Sequence, residues 1–242
     1  MRKIWNMLID LNTVFWLFAL SIALCLIGSI MLPTHLEFFS GIDDSPLFLW
    51  LNNAGNLANT WWVYALIGSI ALLALSTIAC TIEALIKPST RGMVFKLSPQ
   101  VMHIGVLFVM LGHLLTAAYG IRTDVLIQQG STEMISKELS VKVNNVHAEI
   151  NKAGTSTRWK AELELAAKGK PLIFKTLAPV HPVYINGYGL FFSTFNEPGS
   201  GELPSAVIRV TRDPGAVWAL MGGVLVTLGG LGFLISRKPV KI

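Results

Sequence analysis

The chain has 242 residues, of which 52% are hydrophobic and only 14% charged, with a formal net charge of +5. An ordinary soluble domain carries charge on about a quarter of its residues, so this composition excludes one and points to the bilayer. The surplus Lys and Arg sit at the ends of apolar runs, which reads as membrane topology and leaves no basic footprint for a nucleic acid.

Four runs are long and apolar enough to cross a membrane as helices: about Leu11 to Leu32, Trp61 to Ile86, Gln100 to Gly120 and Gly215 to Ser236. The first is longer than a signal-peptide core and has no small-x-small site before Pro33, so it is expected to be retained. Pro33, Pro88, Pro99 and Pro214 are expected at or just outside span ends, where proline is tolerated. Cys25 and Cys80 lie inside apolar runs without a Cys-x-x-Cys, which leaves no disulfide framework and no covalent haem-attachment motif. Both are expected to be buried structural residues.

The loops orient these spans. Arg2 and Lys3 precede span one, Lys87, Arg91 and Lys96 lie between spans two and three, and Arg237, Lys238 and Lys241 follow span four. The loop 33–60 has Glu37, Asp43 and Asp44 and no Lys or Arg. The positive-inside rule then puts both termini in the cytoplasm and the segment 121–213 on the far side, which in a bacterium is the periplasm. Trp50, Trp61 and Trp62 fall where an outer aromatic belt is expected.

Residues 121–213 are the one soluble stretch of any size. Short alternating or β-branched runs recur there, from Val125, Leu139, Ala148, Trp159, Leu172, Tyr188 and Ala206 onward, separated by turn residues. Asn186-Gly187 is a strong hairpin signal. The expected fold is therefore a membrane protein of four transmembrane α-helices, three and then one, with an antiparallel β-rich extracytoplasmic domain between spans three and four. The division is a three-helix part over 1–120, a β domain over 121–213, a small sandwich or half-barrel, and a last span with its tail over 214–242. The β segment carries 11 Lys/Arg against 9 Asp/Glu, a solvated face, and shows no phosphate loop, carboxylate pair or nucleophile triad.

Span three is where chemistry is expected. From Val101 to Gly120 it has no formal charge, yet it contains His103 and His113. An ionisable group in a spanning helix is costly unless a partner, a cavity or a bound group satisfies it. The two histidines are ten residues apart, about 15 Å along the axis and about 80° around it, so they cannot grip one iron from opposite sides. Each needs a partner from elsewhere, and His35, just beyond Pro33, is close enough in depth to be a companion for His113. Neighbouring Gly105 and Gly112 leave room for a flat macrocycle or for a helix contact. His147 and His181 are expected on the surface of the β domain. In span four, Gly215, Gly222 and Gly229 repeat at seven residues, as do Gly223 and Gly230. That spacing predicts close docking against another span or a partner subunit.

Three spans, a β domain and a last span, taken in order, resemble the ResB family of cytochrome c biogenesis proteins (system II). The resemblance rests on the run from His103 to Gly120, on His181-Pro-Val-Tyr-Ile-Asn-Gly-Tyr-Gly-Leu-Phe-Phe-Ser, and on Arg212-Asp-Pro-Gly215 entering a glycine-rich span. It implies a haem-delivery subunit in the bacterial inner membrane, working with a ResC/CcsA-type partner to attach haem to apocytochrome c. It further implies that His103 is one axial ligand of a haem b shared with that partner, while His113 does not match the family's position. The β domain is shorter than in many members. Two other readings of the residues stay open: a b-type haem or quinone electron carrier using His103 and His113, and a structural assembly factor without haem.

Overall fold

A computed structural model describes residues 2–87, 92–150, 156–196 and 203–236. Pro88, Arg91, Asn151, Arg237, Lys238 and Lys241, which bear on the expected topology and strands, lie outside the described residues. The chain divides into two compact units, one helical and one β-rich.

The helical unit contains α1 (Arg2–Leu8), α2 (Leu11–Thr34), α3 (Leu36–Phe39), α4 (Leu47–Ala54), α5 (Leu57–Ile86), α6 (Met93–Tyr119) and α7 (Ala216–Ser236). Among the described residues, helices α2, α5, α6 and α7 are the four long enough and apolar enough to span a membrane. Their outward faces are apolar: Phe15, Leu26 and Leu228 are all more than half exposed, a surface that hydrocarbon solvates and water does not. Local chemistry sets the starts. Asp10 Oδ2 accepts the Thr13 N–H at 3.2 Å to cap α2, and Asn56 Oδ1 accepts the Ala58 N–H at 3.0 Å to cap α5. Inside the spans, hydroxyls donate back to the preceding turn, as Thr77 does to Leu73 O at 2.8 Å, so few polar groups need an outside partner. Ser21 and Ser69 meet at 3.0 Å and link α2 to α5.

Several expectations change here. The 33–60 connection is not an open loop, because α3 and α4 fold within it. They close an aromatic cluster of Phe39, Trp50 and Trp62 over Leu24, Leu51 and Val63. Phe39 stacks on Trp50 with centroids 5.6 Å apart, and a side chain at Gly28 would meet Trp62 Cζ3 at 2.5 Å. Trp50 and Trp62 are therefore core residues, and of the three tryptophans assigned to a belt only Trp61 is exposed. Pro33 stands at the end of α2, one residue before Thr34, as expected, but Pro99 lies inside α6, which starts at Met93 and runs through the proline. Cys25 is exposed on its helix and Cys80 half-buried, so neither is the buried residue expected, since both lie on spans with lipid-facing sides.

Helices α6 and α7 pack backbone to backbone. A Cβ on Gly105 would lie 2.7 Å from Gly222 O, one on Gly112 2.7 Å from Ala219 N, and one on Gly229 2.8 Å from Ser98 O. Phe95 against Phe233 and Phe108 against Trp218 flank this seam. Only the first glycine row of span four serves it. A Cβ on Gly223 or on Gly230 would have nothing within 4 Å. Gly105 and Gly112 thus admit a helix, and the room considered for a macrocycle on that face is filled by α7.

The β-rich unit is built of β1 (Ile121–Gln128), β2 (Thr132–Ser136), β3 (Leu139–Ile150), β4 (Ser156–Ala167), β5 (Ile173–Leu177), β6 (Val183–Ile185), β7 (Tyr188–Asn196) and β8 (Ser205–Arg212). They form two four-stranded antiparallel sheets, in the orders β1-β8-β7-β6 and β2-β3-β4-β5. Alternate residues from both sheets, among them Ile127, Val141, Leu163, Leu190 and Ile208, share one core and are almost wholly buried, the pattern of a sandwich. The Asn186-Gly187 turn joins β6 to β7, with φ of 49° and 78°, as the hairpin signal predicted. The run from Ala148 continues β3 and is not a separate strand.

Candidate functional site

Span three presents two faces, and the glycine seam decides which is which. Gly105 faces α7. His103, two residues earlier, is turned by about 200° around the helix, away from α7 and toward α5. There His103 Nδ1 lies 3.3 Å from Thr81 Oγ1, and Thr81 is buried at 7% exposure. Thr81 Oγ1 also donates to Thr77 O at 2.8 Å. His103 itself is half-buried. Among the described residues the histidine thus has one ring nitrogen engaged and one without a hydrogen-bond partner, the arrangement a metal-ligating imidazole needs.

The same side of α6 carries further polar groups toward its N-terminal end. Lys96 Nζ donates to Leu85 O at 3.0 Å, tying the start of α6 to the end of α5. Between Lys96 and His103 sits Gln100, only 8% exposed, whose Oε1 is buried with no hydrogen-bond partner among the described residues. An unsatisfied buried acceptor costs about 1–3 kcal/mol. On α5, Glu83 accepts from Trp5 Nε1 at 3.1 Å and pairs with Lys87 at 2.9 Å, while Ser76 Oγ donates to Leu8 O. Helix α1 is so fastened to the end of α5 near which Thr81 lies. Gln100, at i−3 from His103, was open to sequence reasoning as a polar residue at helical spacing from a histidine. Thr81 carries no such signal, because only the crossing of α5 and α6 brings it to the ring.

The other histidines are placed differently. His113 is exposed and about 80° around α6 from His103. His35 is exposed, with Nδ1 3.0 Å from its neighbour Thr34 Oγ1. Among the described residues no hydrogen bond joins His35 to His113, and no group of three or more His, Cys, Asp or Glu side chains could hold a metal ion. His147 Nε2 is 2.9 Å from Asn145 Nδ2 on an exposed strand face, and His181 is also exposed. A haem iron bound here would therefore find one imidazole, from His103, on this helix. The donor set fits half of a two-ligand site and does not fit a complete one.

In the β-rich unit the best-formed polar contact joins facing strands. Asp124 and Arg209 are in register across β1 and β8, with Arg209 Nε donating to Oδ1 at 2.8 Å and Nη2 to Oδ2 at 2.7 Å. The hydrogen bond from Arg209, and then its charge, hold the Asp124 carboxyl below the usual carboxylate range. A carboxyl lowered by folding adds stability above its unfolded value, and that stability fades as pH falls through the lowered folded value. Asp124→Asn should accordingly flatten the acid limb of the Tm–pH curve. The change at neutral pH should be small, since both groups are solvated. An acid limb identical to that of the wild type would rule this pair out as its source.

A family model described as the ResB-like family matches residues 88–209, half of the chain, from the approach to α6 through most of β8. No curated protein sequence matches. Among solved structures, one called "Cytochrome c Heme Lyase CcmF" aligns with a TM-score of 0.44 at 17% identity, over 69% of this chain and 29% of that one. The chain thus spans less than a third of that protein's length.

Proposed function

The chain belongs to the ResB-like family of cytochrome c biogenesis proteins, and from that membership we propose that it is the haem-delivery subunit of a system II cytochrome c synthetase. The observation that carries the proposal is His103. It is a half-buried imidazole within a spanning helix and inside the family-matched segment, with Nδ1 engaged by Thr81 and the other ring nitrogen without a hydrogen-bond partner among the described residues. Such a residue is costly in hydrocarbon unless it has a task, and neutral imidazole is a good ligand for haem iron.

In this reading haem b is cargo, held by His103 on one side. A second ligand would come from a ResC/CcsA-type membrane partner, as the family resemblance implies; among the described residues neither His113 nor His35 is hydrogen-bonded to His103. When bound, haem supplies the vinyl groups that become thioether links to the cysteines of apocytochrome c. This chain's own residues do something simpler. The imidazole of His103 binds and orients, Thr81 holds the ring, and α7 seals the opposite face of α6 through the glycine seam. Lys87 and Lys96, at the adjoining ends of α5 and α6, join Arg2 and Lys3 in supporting a cytoplasmic placement of that end. In this reading both termini are cytoplasmic and the β sandwich is periplasmic, in a bacterial inner membrane. The sandwich then offers its faces to the partner or to the apocytochrome.

Removing the chain from its own cells tests this. Covalently attached haem in c-type cytochromes should disappear while b-type cytochromes persist and apocytochrome is still made. Undiminished c-type haem would refute the proposal.

A further inference from the structure

We infer that Thr81 is the positioning residue for His103: it holds the imidazole in the tautomer protonated at Nδ1 and leaves Nε2 without a proton, as the nitrogen that would ligate iron. The inference rests on the haem-ligand reading of His103 and adds to it a residue of a different helix, outside the family-matched segment 88–209.

Counting hydrogens decides the tautomer. A threonine hydroxyl has one hydrogen to give and two lone pairs to receive with. Thr81 Oγ1 has two neighbours, Thr77 O at 2.8 Å and His103 Nδ1 at 3.3 Å. A carbonyl oxygen cannot donate, so the shorter contact consumes the hydroxyl hydrogen. The longer contact is then a hydrogen bond only if Nδ1 carries the hydrogen and Thr81 accepts it. In the opposite arrangement Thr81 donates to Nδ1. That forfeits the 2.8 Å bond, leaves Thr77 O without that donor, and puts the remaining ring proton on Nε2, where it blocks a metal. Thr81 is buried, so water does not readily substitute for it. Thr77 repeats the pattern one turn earlier, donating to Leu73 O at 2.8 Å, so the hydroxyl direction on α5 is set by the helix itself. The polarity of a run of hydroxyls on α5 is thus transmitted to a ring on α6. An acceptor on Nδ1–H fixes ring orientation and raises the basicity of the opposite nitrogen.

The test uses the full chain purified from haem-replete cells together with the membrane proteins that accompany it. Haem per chain and the reduction midpoint of the bound haem are the readouts. Thr81→Val keeps the shape and removes the acceptor. It should lower haem content about tenfold, the lower end of the effect of losing such a partner, and move the midpoint of the residual haem positive, because the ligand becomes a poorer electron donor. Thr81→Ser should restore both to wild-type values. Should Thr81→Val not accumulate, Thr81→Ala is read in its place. Wild-type haem content and midpoint in the Val or Ala variant, with haem lost in His103→Ala, overturns the role of Thr81 and spares the ligand reading. Equal losses in Thr81→Val and Thr81→Ser also overturn it. A wild-type chain without haem, or His103→Ala with its haem intact, removes the ligand reading and the Thr81 role together.

Discussion

His103→Ala should abolish cytochrome c maturation while leaving the protein in the membrane at its normal level. The substitution removes the imidazole from the α5-facing side of α6 and nothing from the seam with α7, which is made by Gly105, Gly112 and their partners. The cost to packing is one polar contact, the 3.3 Å hydrogen bond to Thr81, about 1 kcal/mol or less net. If His103 ligates haem as proposed, the cost to function is the ligand itself. Loss of a partner that merely supports a ligand already lowers metal affinity about 10–100-fold, so loss of the ligand should exceed that range. Maturation is measured by haem stain of c-type cytochromes, and abundance by immunoblot of membranes. External imidazole small enough to enter the vacated space should return part of the activity. Abundance that falls in parallel with maturation would mean the histidine serves packing alone.

Gly222→Leu should split α7 from α6, and Gly223→Leu should do almost nothing. The two positions are adjacent in sequence but differ by about 100° around the helix. A side chain at Gly222 would begin 2.5 Å from Gly105 O and 2.7 Å from Val109 N, both backbone atoms that cannot step aside. One at Gly223 would meet nothing within 4 Å. Overpacking a tight contact typically costs about 1–3 kcal/mol and occasionally more. Here the helices must separate along much of their length, so the upper end is expected. Gly105→Leu, from the opposite side, should match Gly222→Leu. Thermal unfolding followed through Trp218, which lies on this seam against Phe108, reads the difference. Equal Tm values for the Gly222 and Gly223 variants would show that the seam does not hold these helices.

The spans could be read from the sequence because the bilayer imposes a single demand, a long apolar run with its backbone satisfied internally. The sandwich could be read because its inward residues alternate, as from Leu139 to Val143 and from Leu163 to Leu165. The heptad of span four announced a close contact. What it could not say was which of two parallel glycine rows made it, since Gly222 and Gly223 look alike until a partner helix has a position. The same limit applies to Thr81 and His103, which are 22 residues apart in sequence and meet only through the crossing of two helices. Trp50 and Trp62 misled in the opposite direction. A tryptophan near a span end normally marks the interface, but α3 and α4 fold in the connection and enclose both. Pro99 reads as a boundary in sequence, yet a proline in the second turn leaves only one amide missing, and α6 carries through it.

Whether His103 holds haem in the membrane is read from the reduced-minus-oxidised absorption spectrum of the chain purified with its accompanying membrane proteins, wild type beside His103→Ala. A b-type haem signal in the wild type that is lost in the variant, at equal chain abundance, is the predicted result. The same signal in both, or none in the wild type, would contradict it.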